Sequence, residues 1–345
     1  MGVGRPNSRE SLTLTTDSSP NSRPAIGVAE PFSREQSPFK LAMQAGAWWP
    51  FAEQDSRWIN WPTGFNGAMV GQHFIDTDPA GAMGGSPLVC VHGNPTWSYY
   101  WKGLIASQRD RRRCIAVDHV GCGWSSRPDV TRPTLAWHID HLSRLLDALD
   151  LRDVTLAVHD WGGAIGIGAA LERLDRVSRL VVFNTAAFPP PYIPFRIRVC
   201  RWPVLGPTAI LGANAFSRAA LRMAVEDPRH LTADERRGLL APYDRPATRR
   251  GQLAFVRDIP LGPSHPTWET LQRIEAGLPR LAEKPICLIW GMRDWCFRPE
   301  CLDRLVEHWP SAEVHRLNDI GHYVVLEAAP RVEAIVARFL ERTDG

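Results

Sequence analysis

The sequence predicts an α/β fold: a mostly parallel, doubly wound sheet covered by helices, with an all-helical cap inserted late in the chain. Short apolar runs of β type alternate with segments of helical period, the pattern of strand, helix, strand with right-handed crossovers. From about residue 186 to 280 that rhythm lapses, and Pro189, Pro190, Pro191, Pro194, Pro203 and Pro207 crowd its first part. A strand-like run over 285–290 then restores the sheet.

The elements are justified in order as follows. Residues 1–45 are rich in Ser, Pro, Thr and Arg and poor in apolar residues, which predicts a disordered extension. Trp48, Trp49, Phe51, Trp58, Ile59 and Trp61 then follow in quick succession, and the runs 57–61 and 69–75 read as an antiparallel pair at the edge of a mixed sheet. The run 87–91 is a strand ending in His92-Gly93-Asn94-Pro95-Thr96-Trp97, with helical spacing through Trp101, Leu104 and Ile105 after it. The strand 114–117 ends in Asp118-His119 and a loop with Gly121 and Gly123; a dinucleotide fingerprint would need a third glycine and a helix opening at once, so a tight turn is the better reading. Leu135, Ile139, Leu142, Leu145, Leu146 and Leu149 keep helical period. The strands 154–158 and 180–183 follow, and after the cap come 285–290, 313–317 and a closing helix over 332–340. The expected organisation is an extension at 1–45, a first core segment at 46–185, a cap at 186–280 and a second core segment at 281–345.

Composition narrows the function classes. The 345 residues are 44% hydrophobic and 22% charged, with net charge +3, which gives no argument for a nucleic-acid partner. The densest basic patch, Arg109 with Arg111, Arg112 and Arg113, reads as a solvated helix end. Seven cysteines have no paired ligand spacing, so no metal is expected; Cys90, Cys114 and Cys287 sit in strand-like runs as small buried hydrophobes, while Cys296 and Cys301 are less easily placed. A reducing, cytoplasmic compartment fits best. No apolar run is long enough to span a bilayer, no secretory signal is evident, and Pro6 occupies the place where a myristoylation site needs Ser or Thr.

The chemistry concentrates at Val158-His159-Asp160-Trp161-Gly162-Gly163. A β run enters, small residues leave, and one side chain stands at the tip. This is the layout of a nucleophile elbow in an α/β-hydrolase fold, with Asp where Ser is usual. Asp294 and His322 also lie just past strand ends, so the order is nucleophile, acid, histidine. An elbow serine suits acyl transfer, whereas a carboxylate suits displacement at carbon, forming an ester on Asp160. His322 would deprotonate a water to cleave that ester, and Asp294 would orient His322. His159 is expected to pack beneath the turn, and Asp118 and His119 to brace the site.

The chain from Trp48 onward resembles the haloalkane dehalogenase family through His92-Gly93-Asn94-Pro95-Thr96, His159-Asp160-Trp161-Gly162-Gly163, Asp294 and Gly321-His322. The resemblance implies a cofactor-free enzyme for a small apolar substrate, with Asn94 and Trp161 binding a halide or oxyanion. It implies hydrolysis of haloalkanes as the leading activity. Asn184-Thr185-Ala186-Ala187-Phe188 and Leu240-Ala241-Pro242-Tyr243-Asp244 resemble the third dehalogenase subfamily and equally the β-lactone decarboxylases of bacterial olefin synthesis. Some dehalogenases take their acid from a Glu after the strand before the cap; here Phe183-Asn184-Thr185 has no carboxylate, which leaves that role to Asp294. Phe188, Phe195, Trp202 and Phe216 could line a deep apolar pocket or form the core of the cap. Tyr192 and Tyr243 could mimic the ring-opening acids of an epoxide hydrolase, although ordinary cap positions fit them better. A non-catalytic ligand receptor on the same scaffold is the remaining alternative.

Overall fold

The structure is a computed structural model, in which residues 48–62, 69–128 and 133–344 are described. The extension expected over 1–45 lies outside them. Eight strands form one sheet in the order β1-β2-β4-β3-β5-β6-β7-β8. They are β1 (Ser56–Pro62), β2 (Met69–Asp76), β3 (Leu88–Val91), β4 (Cys114–Val117), β5 (Val154–Val158), β6 (Val177–Phe183), β7 (Ile286–Gly291) and β8 (Glu313–Leu317). β2 pairs antiparallel with both β1 and β4, and the remaining pairings are parallel. The strands are those read from the sequence, except that β6 starts at Val177, three residues before the expected start at Leu180. Arg179 had hidden this stretch. Its guanidinium is buried and bound to Ser86, Asp153 and the carbonyl of Thr343, so a charged residue stands inside the strand.

The period of two explains the layers. Val89 and Val91 of β3, with Val154, Leu156 and Val158 of β5, face one side. Leu88, Cys90 and Ala157 face the other. The first side is covered by α2 (Leu135–Ala148) and α3 (Trp161–Glu172), and the second by α1 (Lys102–Gln108) and α11 (Ala329–Thr343). Trp49 stacks on Trp97 at 5.7 Å, which ties the early aromatic cluster to the loop after β3.

Between β6 and β7 the described residues hold helices and turns only: α4 (Phe195–Val199), α5 (Ala215–Met223), α6 (Ala233–Leu240), α7 (Arg250–Asp258) and α8 (Pro266–Gly277), joined by shorter turns. α9 (Pro299–His308) follows β7, and α10 (Val324–Glu327) lies between β8 and α11. The basic run is not a solvated helix end. Arg109 pairs with Asp55, Arg111 with Glu341, Arg112 with Asp344 and Arg113 with Asp76, and Arg112 is buried. It fastens the helix end to Asp55 and to the C-terminal helix, and the start of β4 to the end of β2.

Candidate active site

The carboxyl ends of β3, β5, β6, β7 and β8 converge on one group of side chains. Asp160 caps α3 with φ 53° and ψ −128°, a backbone conformation that L residues adopt only under constraint. Its surroundings supply the constraint. A Cβ on Gly93 would fall 2.2 Å from the Asp160 side chain, and one on Gly162 would fall 2.1 Å from the Val91 carbonyl oxygen. Only glycine lets these chains approach so closely. Thr185 closes the turn by donating its hydroxyl to the Asp160 carbonyl at 2.5 Å.

Asp160, Asp294 and His322 lie together. His322 Nδ1 is 2.7 Å from Asp294 Oδ2, and His322 Nε2 is 3.7 Å from Asp160 Oδ2. The backbone N–H of Asn94 donates to Asp160 Oδ1 at 2.7 Å, and that of Trp161 also hydrogen-bonds the carboxylate. Burial nevertheless pushes the Asp160 carboxyl above its ordinary value; the His322 charge and the two N–H donors offset only part of this. Burial works to lower the His322 pKa, but the charge and hydrogen bond of Asp294, with the charge of Asp160, outweigh it and hold the value above the ordinary one.

Several supporting residues were not singled out as such by the motifs. Asn184 Nδ2 donates to Asp294 Oδ2 at 3.0 Å and to the Gly291 carbonyl at 2.9 Å, while its Oδ1 accepts from the Gly291 N–H at 2.8 Å. The position without a carboxylate therefore still reaches the acid. The N–H of Cys296 donates to Asp294 Oδ1 at 2.6 Å. Asn94 Nδ2 donates to the Gln252 carbonyl at 3.2 Å, which orients the carboxamide from the cap side. A signal for Asn184 existed in its place after a buried strand; its partner, 110 positions away, could not be read.

His159 lies under the site. Its Nε2 donates to the His322 carbonyl at 2.9 Å, its ring stacks on Tyr100, and burial first, then the nearby His322 charge, drive its pKa well below the ordinary value. It is a neutral support. Asp118 accepts from the N–H groups of Ser98 and Trp124 and meets His73 Nδ1 at 2.7 Å, and His119 Nε2 donates to the His92 carbonyl. Both brace the loop that carries Asn94.

A cavity of about 490 Å³ ends at Asp160, His322, Asn94 and Trp161. Its walls are otherwise largely apolar, with Ile193, Ile197, Ile210, Val256 and Leu271 among them. Phe188 and Phe216 line it. Phe195 and Trp202 do not: they are 71% and 50% exposed. On the short helix α4 and the turn after it, Arg196, Ile197 and Cys200 line the cavity instead, Cys200 standing three and four residues beyond Ile197 and Arg196. That geometry sends Phe195 and Trp202 to solvent. Tyr192 donates its hydroxyl to the Cys296 carbonyl and Tyr243 to the Thr96 carbonyl, so both hydroxyls are committed away from the reacting group. The one group of metal-ligand type among the described residues, Cys287, Glu313 and His315, stands on β7 and β8; Glu313 is already met there by His315 and Arg342.

A family model for the alpha/beta hydrolase fold matches residues 86–329. A cis-3-alkyl-4-alkyloxetan-2-one decarboxylase of Shewanella oneidensis is 39% identical over 266 residues, 75% of this chain and 83% of its own. The protein of the same name from Xanthomonas campestris is 39% identical over 284 residues, 79% of this chain and 93% of its own. A haloalkane dehalogenase of Mycobacterium bovis is 31% identical over 298 residues, 83% of this chain and 95% of its own. Among solved structures, the haloalkane dehalogenase DatA of Agrobacterium tumefaciens superposes with a TM-score of 0.71 at 25% identity, over 84% of this chain and 97% of that one. No helix among the described residues is long and apolar enough to cross a membrane. The chain belongs to the α/β-hydrolase fold family, as a haloalkane dehalogenase-like enzyme with near relatives among the cis-3-alkyl-4-alkyloxetan-2-one decarboxylases.

Proposed function

We propose that the protein decarboxylates cis-3,4-dialkyl β-lactones to olefins. The observation that carries this reading is the sequence likeness: relatives named as such decarboxylases are 39% identical, those named haloalkane dehalogenases 30–31%. The motifs alone put haloalkane hydrolysis first, and this likeness reverses the order. The largely apolar cavity supports it, since two alkyl chains can be buried there at about 0.8 kcal/mol per CH₂.

In this reading Asp160 is the nucleophile. Its Oδ1 is held by the Asn94 N–H, which leaves Oδ2, on the side of His322, to attack. Oδ2 displaces the ring oxygen at the alkyl-bearing carbon C4. A C4–O bond to Asp160 forms, the ring C4–O bond breaks, and a carboxylate remains on C3. Cationic His322, with the side chains of Asn94 and Trp161, stabilises that carboxylate as it forms. Next the C3–CO₂ bond breaks, its electron pair becomes the C3=C4 bond, and the C4–O bond to Asp160 breaks. Carbon dioxide leaves, and the Asp160 carboxylate is restored. Inversion at C4 followed by anti elimination converts a cis lactone into a cis olefin.

One geometric feature favours haloalkane hydrolysis as a second reading. The 3.7 Å between His322 Nε2 and Asp160 Oδ2 is longer than a hydrogen bond, and a neutral His322 there can activate a water against an Asp160 ester. The deciding experiment offers the purified protein a long-chain cis-β-lactone and, separately, bromoalkanes. Carbon dioxide and cis olefin in equal amounts, lost in Asp160→Asn, are expected. Halide release with no olefin would establish the second reading in its place.

A further inference from the structure

We propose that residues 195–206, with Leu261, form a docking face for the surface of an anionic lipid bilayer, through which an apolar substrate reaches the cavity. Exposed large hydrophobic side chains are few among the described residues, and four of the six fall in this one stretch: Phe195 at 71%, Trp202 at 50%, Val204 at 79% and Leu205 at 47%. Leu261, 59% exposed, is brought to the same region. Arg201 Nη1 donates to the carbonyls of Val256, Arg257 and Ile259, which fastens this segment to the end of α7 just before Leu261.

The stretch is a folded wall. Gly206 packs against the Cys200 carbonyl so closely that a Cβ would fall 2.1 Å from it, which brings both ends of the turn together. Arg196, Ile197 and Cys200 line the cavity on its inner side, as do Ile259 and Pro260 from the neighbouring segment. Phe195, Trp202 and Val204 stand on the outer side. One thin layer therefore separates the apolar cavity from an apolar outer face.

Charge identifies the occupant. No Asp or Glu occurs anywhere from residue 176 to 225, whereas Arg196, Arg198, Arg201, Arg218 and Arg222 fall in the cap part of that interval. Arg198, Arg218 and Arg222 are exposed, and no acidic side chain pairs with them among the described residues. Exposed apolar residues in an interval without acidic side chains, with exposed Arg198 among them and exposed Arg218 and Arg222 on α5 after them, are the composition of a surface that lies in a headgroup layer, its apolar side chains inserted and its cations on anionic lipids. The docking does not depend on which bond Asp160 breaks, and it is tested without substrate.

The test is flotation of the full chain with vesicles of phosphatidylcholine alone or mixed with phosphatidylglycerol, at low and high salt. Binding to the mixed vesicles, several-fold weaker at high salt, is expected, with little binding to phosphatidylcholine alone. Phe195→Ser with Trp202→Ser, and separately Arg198→Glu with Arg222→Glu, should each lower binding about tenfold or more, while turnover of a short, water-dissolved substrate stays unchanged. Failure of the wild type to float, or flotation that both double variants retain, overturns the proposal. So does saturable binding of this face to a purified protein in place of vesicles.

Discussion

The carboxamide of Asn184 lies 3.0 Å from Asp294, on the same carboxylate oxygen that meets His322 at 2.7 Å. One oxygen of the acid thus accepts from two sides. Because Asn184 also bridges to both backbone groups of Gly291, it ties the end of β6 to the end of β7. Asn184→Leu leaves these buried groups unpaired. It should lower stability by roughly 1–3 kcal/mol and reduce kcat, with His322 held less firmly. Denaturant midpoints and steady-state rates on the purified variant check both. An unchanged kcat in a destabilised variant would confine Asn184 to a structural role.

Removing the histidine should separate formation of the ester from its cleavage by water. In His322→Ala incubated with a bromoalkane, Asp160 can still displace halide, but no base activates water. Intact-mass spectrometry should find the chain heavier by the alkyl group, with the addition on the peptide that holds Asp160. If a bromoalkane that the wild type turns over leaves no adduct, Asp160 is not the nucleophile.

The two reactions should differ in their dependence on pH. Asp160 must be ionised in both, and its carboxyl is raised by burial, so each rate should climb with pH at values above the ordinary carboxylate range. His322 titrates above its ordinary value, mainly because Asp294 favours the cation over the opposing effect of burial. Lactone opening uses that cation and should fall off as pH rises through the His322 value. Ester hydrolysis uses the neutral ring and should rise there. The pair titrates as a unit, so the limbs belong to Asp160 and His322 jointly. Profiles of kcat for olefin and for halide release would show a bell in the first case and a plateau in the second.

Trp161 and Asn94 should act on the rate more than on folding. Loss of one donor to the departing anion, as in Trp161→Leu, should reduce kcat by roughly 10²–10³-fold if it resembles loss of an oxyanion-hole donor. A change confined to KM would show that Trp161 only shapes the cavity.

Asp258 gives a stability prediction away from the chemistry. Its carboxyl accepts from the Leu135 N–H at 2.7 Å and the Thr267 hydroxyl at 2.6 Å, and burial pushes its pKa up to about 6. The unfolded value is about 3.9. A raised acid binds its proton more tightly in the folded state, so stability is greatest below the unfolded value and declines as pH rises towards 6. The whole effect is on the order of 3 kcal/mol. Asp258→Asn should flatten this decline, as read from urea midpoints across that interval.

Much of this architecture was legible because the central strands β3, β4, β5 and β7 are apolar, short and buried on both faces, and because turn chemistry marks the strand ends. The elbow could be read from the small residues around Asp160. The acid and the histidine followed from their places after later strands. What failed was side assignment in the cap. Phe195 and Trp202 are apolar residues in a five-residue helix and a turn, where no period runs long enough to say which face is inside. The brace at Asn184 was hidden for a different reason: a hydrogen bond between the ends of β6 and β7 leaves no local trace in the chain. Arg179 concealed the start of β6 because its charge is met by groups far away in sequence.

Tyr192 and Tyr243 give their hydroxyls to backbone carbonyls, and Asp160, His322, Asn94 and Trp161 stand among the polar groups at the reacting end. In the proposed lactone turnover the negative charge starts on Asp160, passes to the carboxylate on C3 and returns to Asp160. No atom of the olefin comes from solvent at any point. The cycle is therefore isotopically sealed: in heavy water the product should carry no deuterium, and the surrounding buffer should gain and lose no protons apart from those of hydrating carbon dioxide.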